Sequence, residues 1–244
     1  MTDYTAATYG DRIAEIYDDL YGFAEATDAA VELLAELAAG GPVLELGIGT
    51  GRLALPLSRR GVPVAGIDAS EAMVAKLRAK PGGDAIALTL GDFADVGVDG
   101  PFRLVAVVFN TFFALLTQDD QLRCMTNAAA RLEPGGRFLV EAFVPDLARF
   151  DRGQRTASER VGTDLVELEV STHDVSRQHV TSAHVLLRES GTQIFPVQIR
   201  YCWPSELDLM ARLAGLELEH RWADWRRAPF TAASTGHVSV WRRP

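Results

Sequence analysis

Apolar residues along this chain follow two rhythms. Between residues 43 and 143, short and nearly continuous apolar runs alternate with longer stretches of helical period, and such runs mark strands buried on both faces. They predict strands near 43–47, 63–67, 86–90, 102–109 and 137–143, with helices near 51–60, 71–79 and 119–132. Residues 1–40 read as alanine-rich helix, stopped by Gly40-Gly41-Pro42. Strand–helix alternation of this kind implies a parallel sheet with helices on both faces. After Asp151 the rhythm changes. Asp151-Arg152-Gly153-Gln154-Arg155 reads as a polar linker, and residues 164–172, 178–188 and 193–202 as three strands between short polar turns. A helix over 204–214, opened by Pro204 and closed by Gly215, leads to strands near 216–222 and 237–242. The expected fold is α/β and doubly wound: a seven-stranded, mostly parallel sheet with a three-stranded antiparallel insertion after the fifth strand. The expected parts are a helical cover over 1–40, a ligand-binding core over 41–150, an insertion over 151–202 that forms a lid or dimer surface, and 203–244 completing the core.

The strand ends carry the chemistry. Pro42-Val43-Leu44-Glu45-Leu46-Gly47-Ile48-Gly49-Thr50-Gly51-Arg52 is a buried strand that ends in an acid and enters a loop with glycine at every second position. Glycine there lets the backbone approach a ligand with no Cβ in the way. A dinucleotide loop needs G-x-G-x-x-G, whose third glycine lets the following helix pack close to the pyrophosphate. Here the third glycine comes one residue early and Arg52 holds the dinucleotide position, which suits a cofactor without a pyrophosphate. The second strand ends in Asp68, seventeen residues beyond Gly51, near the roughly 20-residue offset of a ribose-binding carboxylate. Ser70 is placed to cap the next helix. The third strand ends in Gly91-Asp92-Phe93.

The phrases E-L-G-I-G-T-G, D-A-S-E-A-M and G-D-F, in register after three strands, resemble the motifs of class I S-adenosylmethionine (SAM)-dependent methyltransferases of the small-molecule type. L-E-P-G-G-R-F-L-V-E before the fifth strand strengthens the likeness. The layout is similar to glycine and aminosugar N-methyltransferases, whose antiparallel insertion covers the substrate. This resemblance implies a Rossmann-like core that binds SAM and releases S-adenosylhomocysteine (SAH). It places Glu45 under the loop near the amino-acid end of the cofactor, Asp68 at the ribose, and Met73, Asp92 and Phe93 at the adenine, with Gly47, Gly49, Gly51, Arg52 and Ala69 also among the cofactor-binding residues. Phe109 and Asn110, after the fourth strand, fall on the cofactor side. The Y-D-x-x-Y element implies that Tyr17 and Tyr21 belong to a mobile cover, where a tyrosine face can stabilise a sulfonium.

Substrate residues are expected at Phe112 and Phe113, at His184 of the insertion, and at Trp225 in the aromatic loop over 222–230. The histidine that aminosugar enzymes carry after the fourth strand has no counterpart here, where Phe112-Phe113-Ala114-Leu115 stands. Glu141, ending the fifth strand, and Asn110 are the expected catalytic side chains. The implied reaction is methyl transfer to a nitrogen or oxygen of a small molecule, nitrogen favoured because no strong base stands out. Binding SAM or SAH for another step, such as a cyclisation, is the alternative. A net charge of −9 argues against nucleic acid and anionic membrane as partners. No metal-ligand spacing is present, and Cys124 and Cys202 read as buried free thiols. The chain opens on neither a basic nor an apolar leader segment, so a cytoplasmic protein is the expectation, and a homodimer is among the expected assemblies.

Overall fold

The computed structural model of the 244-residue chain describes residues 4–21 and 24–244, residues 24–26 through their backbone alone. Strands β1 (Val43–Leu46), β2 (Val64–Asp68), β3 (Ala87–Leu90), β4 (Phe102–Val107), β5 (Leu132–Phe143), β10 (Glu217–Trp222) and β11 (Gly236–Arg242) form one sheet in the order β10-β11-β5-β4-β1-β2-β3. The five strands from β1 to β5 run parallel, and β11 runs antiparallel to both β5 and β10. Strand order reverses between β1 and β4, the switch point where open α/β sheets bind ligands.

Period-two alternation on the central strands divides two cores. Leu104 and Ala106 of β4 and Leu139 of β5 pack under α3 (Ala24–Ala38) and α4 (Ala54–Arg59). Val105 and Val107, with Phe138 and Val140, pack under α6 (Gln118–Arg131) and α7 (Pro204–Leu213). Helix α5 (Glu71–Arg78) is N-capped by Ser70, whose Oγ accepts from the Met73 N–H at 3.1 Å. Gly51 shows what the motif spacing demands: its φ is +79°, and a Cβ there would lie 2.3 Å from Leu77 Cδ1 of α5. Both Cys124 and Cys202 are buried free thiols. Among the described residues, no helix is long and apolar enough to cross a membrane.

The insertion differs from expectation. It has four antiparallel strands in sequential order: β6 (Gln154–Val161), β7 (Leu165–Asp174), β8 (His179–Arg188) and β9 (Gly191–Arg200). The first of these, Gln-Arg-Thr-Ala-Ser-Glu-Arg-Val, begins inside the segment read as a linker. It is an edge strand, mostly exposed, pairing only with β7. An edge strand with no apolar face has no hydrophobic signature, and backbone pairing alone reveals it. A third cluster joins this sheet to the N-terminal helices α1 (Thr8–Ile13) and α2 (Tyr17–Tyr21). Ile13 and Ala14 meet Leu165, Leu186 and Phe195 there, with Met73 of α5. Helices and insertion thus form one continuous cover over the carboxyl ends of the parallel strands.

Candidate active site

Between the cover and the strand ends lies a cavity of about 530 Å³, within the range of small-molecule sites. Its floor is built by the loops after β1, β2 and β3. Gly47 and Gly49 line it, and so do Asp68, Ala69, Ser70, Met73, Asp92 and Phe93. The φ of Gly47 is +72°, and a Cβ there would strike Thr111 Cγ2 at 2.5 Å. Asp68 fixes the floor: its two carboxylate oxygens accept from the Gly49 N–H at 2.7 Å and the Ser70 N–H at 2.9 Å. Each oxygen keeps a lone pair toward the cavity. Burial raises the Asp68 pKa, against the pull of those amides.

The cover is tied to this floor by polar bonds. Ser70 Oγ donates to Asp11 Oδ1 at 2.6 Å, and Thr50 Oγ1 donates to Asp18 Oδ1 at 2.6 Å. Lys80 pairs with Asp18 at 2.6 Å and also donates to the Thr50 carbonyl at 2.8 Å. Burial works against the Asp18 charge, but the bonds from Lys80 and Thr50 outweigh it and hold its pKa below the usual range. Tyr17 and Tyr21 therefore arrive at the cavity beside Phe109. Ring centroids lie 5.0 Å apart for Tyr17–Tyr21 and 5.2 Å for Tyr21–Phe109. The Arg52 guanidinium sits 4.9 Å from the centre of the Phe109 ring, and its charge works against the rise that burial gives the Tyr17 pKa.

Beneath the glycine loop, Glu45 is buried, and its Oε2 has no hydrogen-bond partner. Burial pushes its pKa up to about 8, with Arg52 pulling the other way. This buried carboxylate oxygen has no donor from the protein, an orphaned acceptor beneath a loop in which Gly49 faces open space.

The chain's relatives agree with this geometry. The methyltransferase-domain family matches residues 43–136. The cypemycin N-terminal methyltransferase of a Streptomyces species is 30% identical over 207 residues, covering 84% of each chain. The solved structure of the CcbJ methyltransferase from Streptomyces caelestis is 44% identical, with a TM-score of 0.91 over 98% of this chain and 99% of that one. This chain is a class I SAM-dependent methyltransferase. SAM-bound CalS10, an amino pentose methyltransferase from Micromonospora echinaspora, is 21% identical with a TM-score of 0.71, and shares the fold.

The residues of this methyltransferase fit the cofactor: a ribose-type acid at Asp68, a donor-less acid at Glu45, and an open glycine loop between them. Among the expected cofactor residues, Tyr17, Tyr21, Gly47, Gly49, Asp68, Ala69, Met73, Asp92, Phe93, Phe109 and Asn110 line the cavity. Glu45, Gly51 and Arg52 are not part of that lining: Glu45 is buried beneath the glycine loop, Gly51 packs on Leu77, and Arg52 lies over the Phe109 ring.

Four expectations for the chemistry need correction. Glu141 is not a free carboxylate facing substrate. Its Oε2 accepts from the Phe109 N–H, and the Asn110 N–H donates to its backbone carbonyl at 3.2 Å. Phe109 and Asn110 have φ of +57° and +63°, a left-handed pair that costs energy without support. Glu141 holds that turn, and Asn110 adds to it: its Oδ1 accepts from the Phe143 N–H at 2.7 Å, so Asn110 lines the cavity with its side-chain oxygen already committed. Phe112 and Phe113 are fully buried, 6.4 Å from Phe138 and 5.0 Å from Phe143 respectively. They lie in a 3₁₀ turn, Thr111–Ala114, in which residues three apart share a face. Thr111 and Ala114 therefore line the cavity and the two phenylalanines enter the core. Trp225 packs toward α3, in a groove with Asp28 and Glu32, away from the cavity.

His184 does line the cavity, with partners the sequence left unmarked. Tyr9, Phe143, Phe150, Glu169, Ile199 and Tyr201 belong to the same wall. Glu169 accepts from Arg149 at 2.8 Å and from Arg155. The expected strand pattern held the only signal for these residues: the alternation of β7 places Glu167, Glu169 and Ser171 on one face. Among the described residues, no three His, Cys, Asp or Glu side chains are placed to hold a metal.

Proposed function

We propose that this enzyme transfers the methyl group of SAM to the nitrogen of a small secondary-metabolite amine. Bound SAM supplies an electrophilic methyl on a sulfonium. The chain's part is then to hold donor and acceptor in line and to keep water away, and positioning alone contributes up to roughly 7–11 kcal/mol in well-oriented reactions. Asp68 takes the ribose hydroxyls, Glu45 the ammonium end, Asp92 and Phe93 the adenine. Tyr17, Tyr21 and Phe109 form the aromatic collar at the reacting end.

The observation that carries the choice of nitrogen is the committed state of the acids around the cavity. An alcohol must lose its proton as it attacks, whereas a neutral amine attacks with its lone pair. Asp68, Asp92, Asp120, Asp146 and Glu169 each already accept from an amide or an arginine, so among the described residues no carboxylate lining the cavity stands unpaired as a strong base, and a neutral amine needs none for its attack. The name of the cypemycin N-terminal methyltransferase points the same way, and peptide amino termini belong among the acceptors to try.

The test is calorimetric titration with SAH, NAD serving as control, then incubation of SAM with a panel of amines and matched alcohols. The panel contains N-methylbenzylamine, benzylamine, benzyl alcohol and an alanyl dipeptide, and products are read by mass. Methylated amines with unreacted alcohols support the reading; the reverse overturns it. SAM that binds but stays unconsumed with every acceptor would favour a non-methylating step such as cyclisation.

The outer face of the insertion exposes Val170, Leu187 and Ile194, the last at 56%. These side chains lie on paired neighbouring strands. A second copy of the chain is the proposed occupant, and light scattering of wild type against Ile194→Glu tests it: a monomer in both sinks the idea.

A further inference from the structure

We propose that His184 is the proton acceptor of this enzyme, oriented by Glu167, and that it frees the substrate amine before methyl transfer. This rests on the amine reading above. Most amines carry a proton near neutral pH, and an ammonium has no lone pair with which to attack. A site for amines therefore needs a group that accepts a proton inside the closed cavity.

Among the described residues the cavity offers one candidate. Its carboxylates are committed, as described. Its phenols are weak acceptors: burial raises Tyr9 and Tyr21 and pushes Tyr17 up to about 12. The remaining histidines are engaged or remote. His173 stacks on Phe150 and bonds the Tyr201 hydroxyl at 2.9 Å. His179 Nε2 bonds the Leu116 carbonyl at 2.6 Å. His220 stacks on Trp222, and His237 is buried beside Ser239.

His184 is different. Its ring lines the cavity, while its Nδ1 is sealed in protein with no hydrogen-bond partner, 3.8 Å from Glu167 Oε1. Nε2 is then the nitrogen left for a ligand. Glu167 and His184 stand on adjacent strands, where Glu169 pairs with His184 in register, so all three side chains share the cavity face. A shift of under 1 Å brings Nδ1–H onto Glu167. That fixes the tautomer with the Nε2 lone pair toward the cavity and sets a carboxylate beside the imidazolium that forms. The other titratable and charged groups at this end are Glu169, Arg149 and Arg155, which pair with one another, and Tyr9, Tyr17 and Tyr21 of the cover. The opposing residue on β9 is Phe195, which is apolar.

The step balances. The N–H⁺ bond of the substrate breaks, its proton goes to Nε2, and the electron pair stays on nitrogen. That pair forms the new N–C bond as the C–S bond breaks and its electrons pass to sulfur, leaving SAH and a methylated ammonium.

The experiment is the pH profile of kcat/KM from pH 6 to 10, with N-methylbenzylamine and the alanyl dipeptide, for wild type, His184→Gln, His184→Asn, Glu167→Gln and Glu167→Asp. SAH affinity and Tm serve as controls for folding. At pH 7 the His184 variants should lose roughly 10²–10³-fold. The loss should shrink as pH rises and the amine becomes free in solution. Glu167→Gln should show a smaller loss with the same recovery, and Glu167→Asp should restore most of it. A loss equal at all pH values, or no loss, overturns the proposal while leaving amine methylation standing. If wild type binds SAH but methylates no amine, the amine reading falls and this role falls with it.

Discussion

Glu45 offers the sharpest quantitative test of the cofactor site. Its carboxyl is buried, Oε2 lacks a donor, and burial raises its pKa to about 8. At pH 7 such a group is about nine-tenths protonated. A bound ammonium favours the carboxylate, so binding lowers this pKa and releases a proton at any pH between the bound and free values. Removing the proton first costs about 1.4 kcal/mol at pH 7 and about 2.7 kcal/mol at pH 6. SAH affinity should therefore rise roughly tenfold from pH 6 to pH 7 and flatten above pH 8, with close to one proton released per SAH at pH 7. Calorimetry in two buffers of different ionisation enthalpy measures both quantities. Glu45→Gln should abolish the proton release and weaken SAH at pH 8 by about 1.5–3 kcal/mol, the scale of a lost charge-assisted bond. Asp68 is also raised by burial, so the variant separates the two: a slope that survives in Glu45→Gln belongs to Asp68. An affinity that is flat across pH 6–7 in wild type would refute the ammonium pocket.

Three other substitutions probe the remaining assignments. Asp68→Ala should cost roughly 1.5–3 kcal/mol of SAH binding, while Asp68→Asn, which keeps one acceptor oxygen for only one of the Gly49 and Ser70 N–H groups, should recover only a part of it; calorimetry decides. Glu141→Gln still presents an oxygen to the Phe109 N–H, so kcat should stay within several-fold with an unchanged pH profile. A lost acidic limb in that profile would restore Glu141 as a base. Phe113→Ala should cost about 3–5 kcal/mol of stability, lowering Tm by roughly 6–20 °C for a chain of this size. SAH affinity measured well below the transition should be unaltered, since the ring lies in the core rather than on the cavity.

The parallel core was legible because its signals are local and redundant. Each buried strand is a continuous apolar run, and each run ends in a glycine or acid with a reason to stand there. Gly51 is an example: its early position in the motif is required by Leu77, 2.3 Å from where a Cβ would be. Strand β6 was illegible for the opposite reason. Its exposed edge has no apolar face, and its eight residues are specified by pairing with β7, a contact between segments that composition does not record.

The same distinction separates the two halves of the site. Cofactor residues follow one another at strand ends, so a reading along the chain finds them in order. The proposed substrate wall is assembled from the segment leading into and through α1, the loop after β5 and one face of the insertion sheet, parts up to about 190 residues apart, as the bond from Gln198 N–H to the Tyr4 hydroxyl illustrates. Reading aromatic residues after β4 as that wall failed because a 3₁₀ turn repeats every three residues and turned Phe112 and Phe113 inward together. Glu141 misled for a related reason. A carboxylate at a strand end faces the cleft in general, but here two successive left-handed residues need an acceptor, and that local strain claims the acid. The polar face of β7 and β8 gives the converse case. Glu167, Glu169, Ser171, Ser182 and His184 alternate with apolar residues as a solvent-facing strand pattern would, yet the face they form closes a cavity. Polar alternation identifies a face that meets something other than core; only the fold reveals that what it meets is a closed cavity rather than open water.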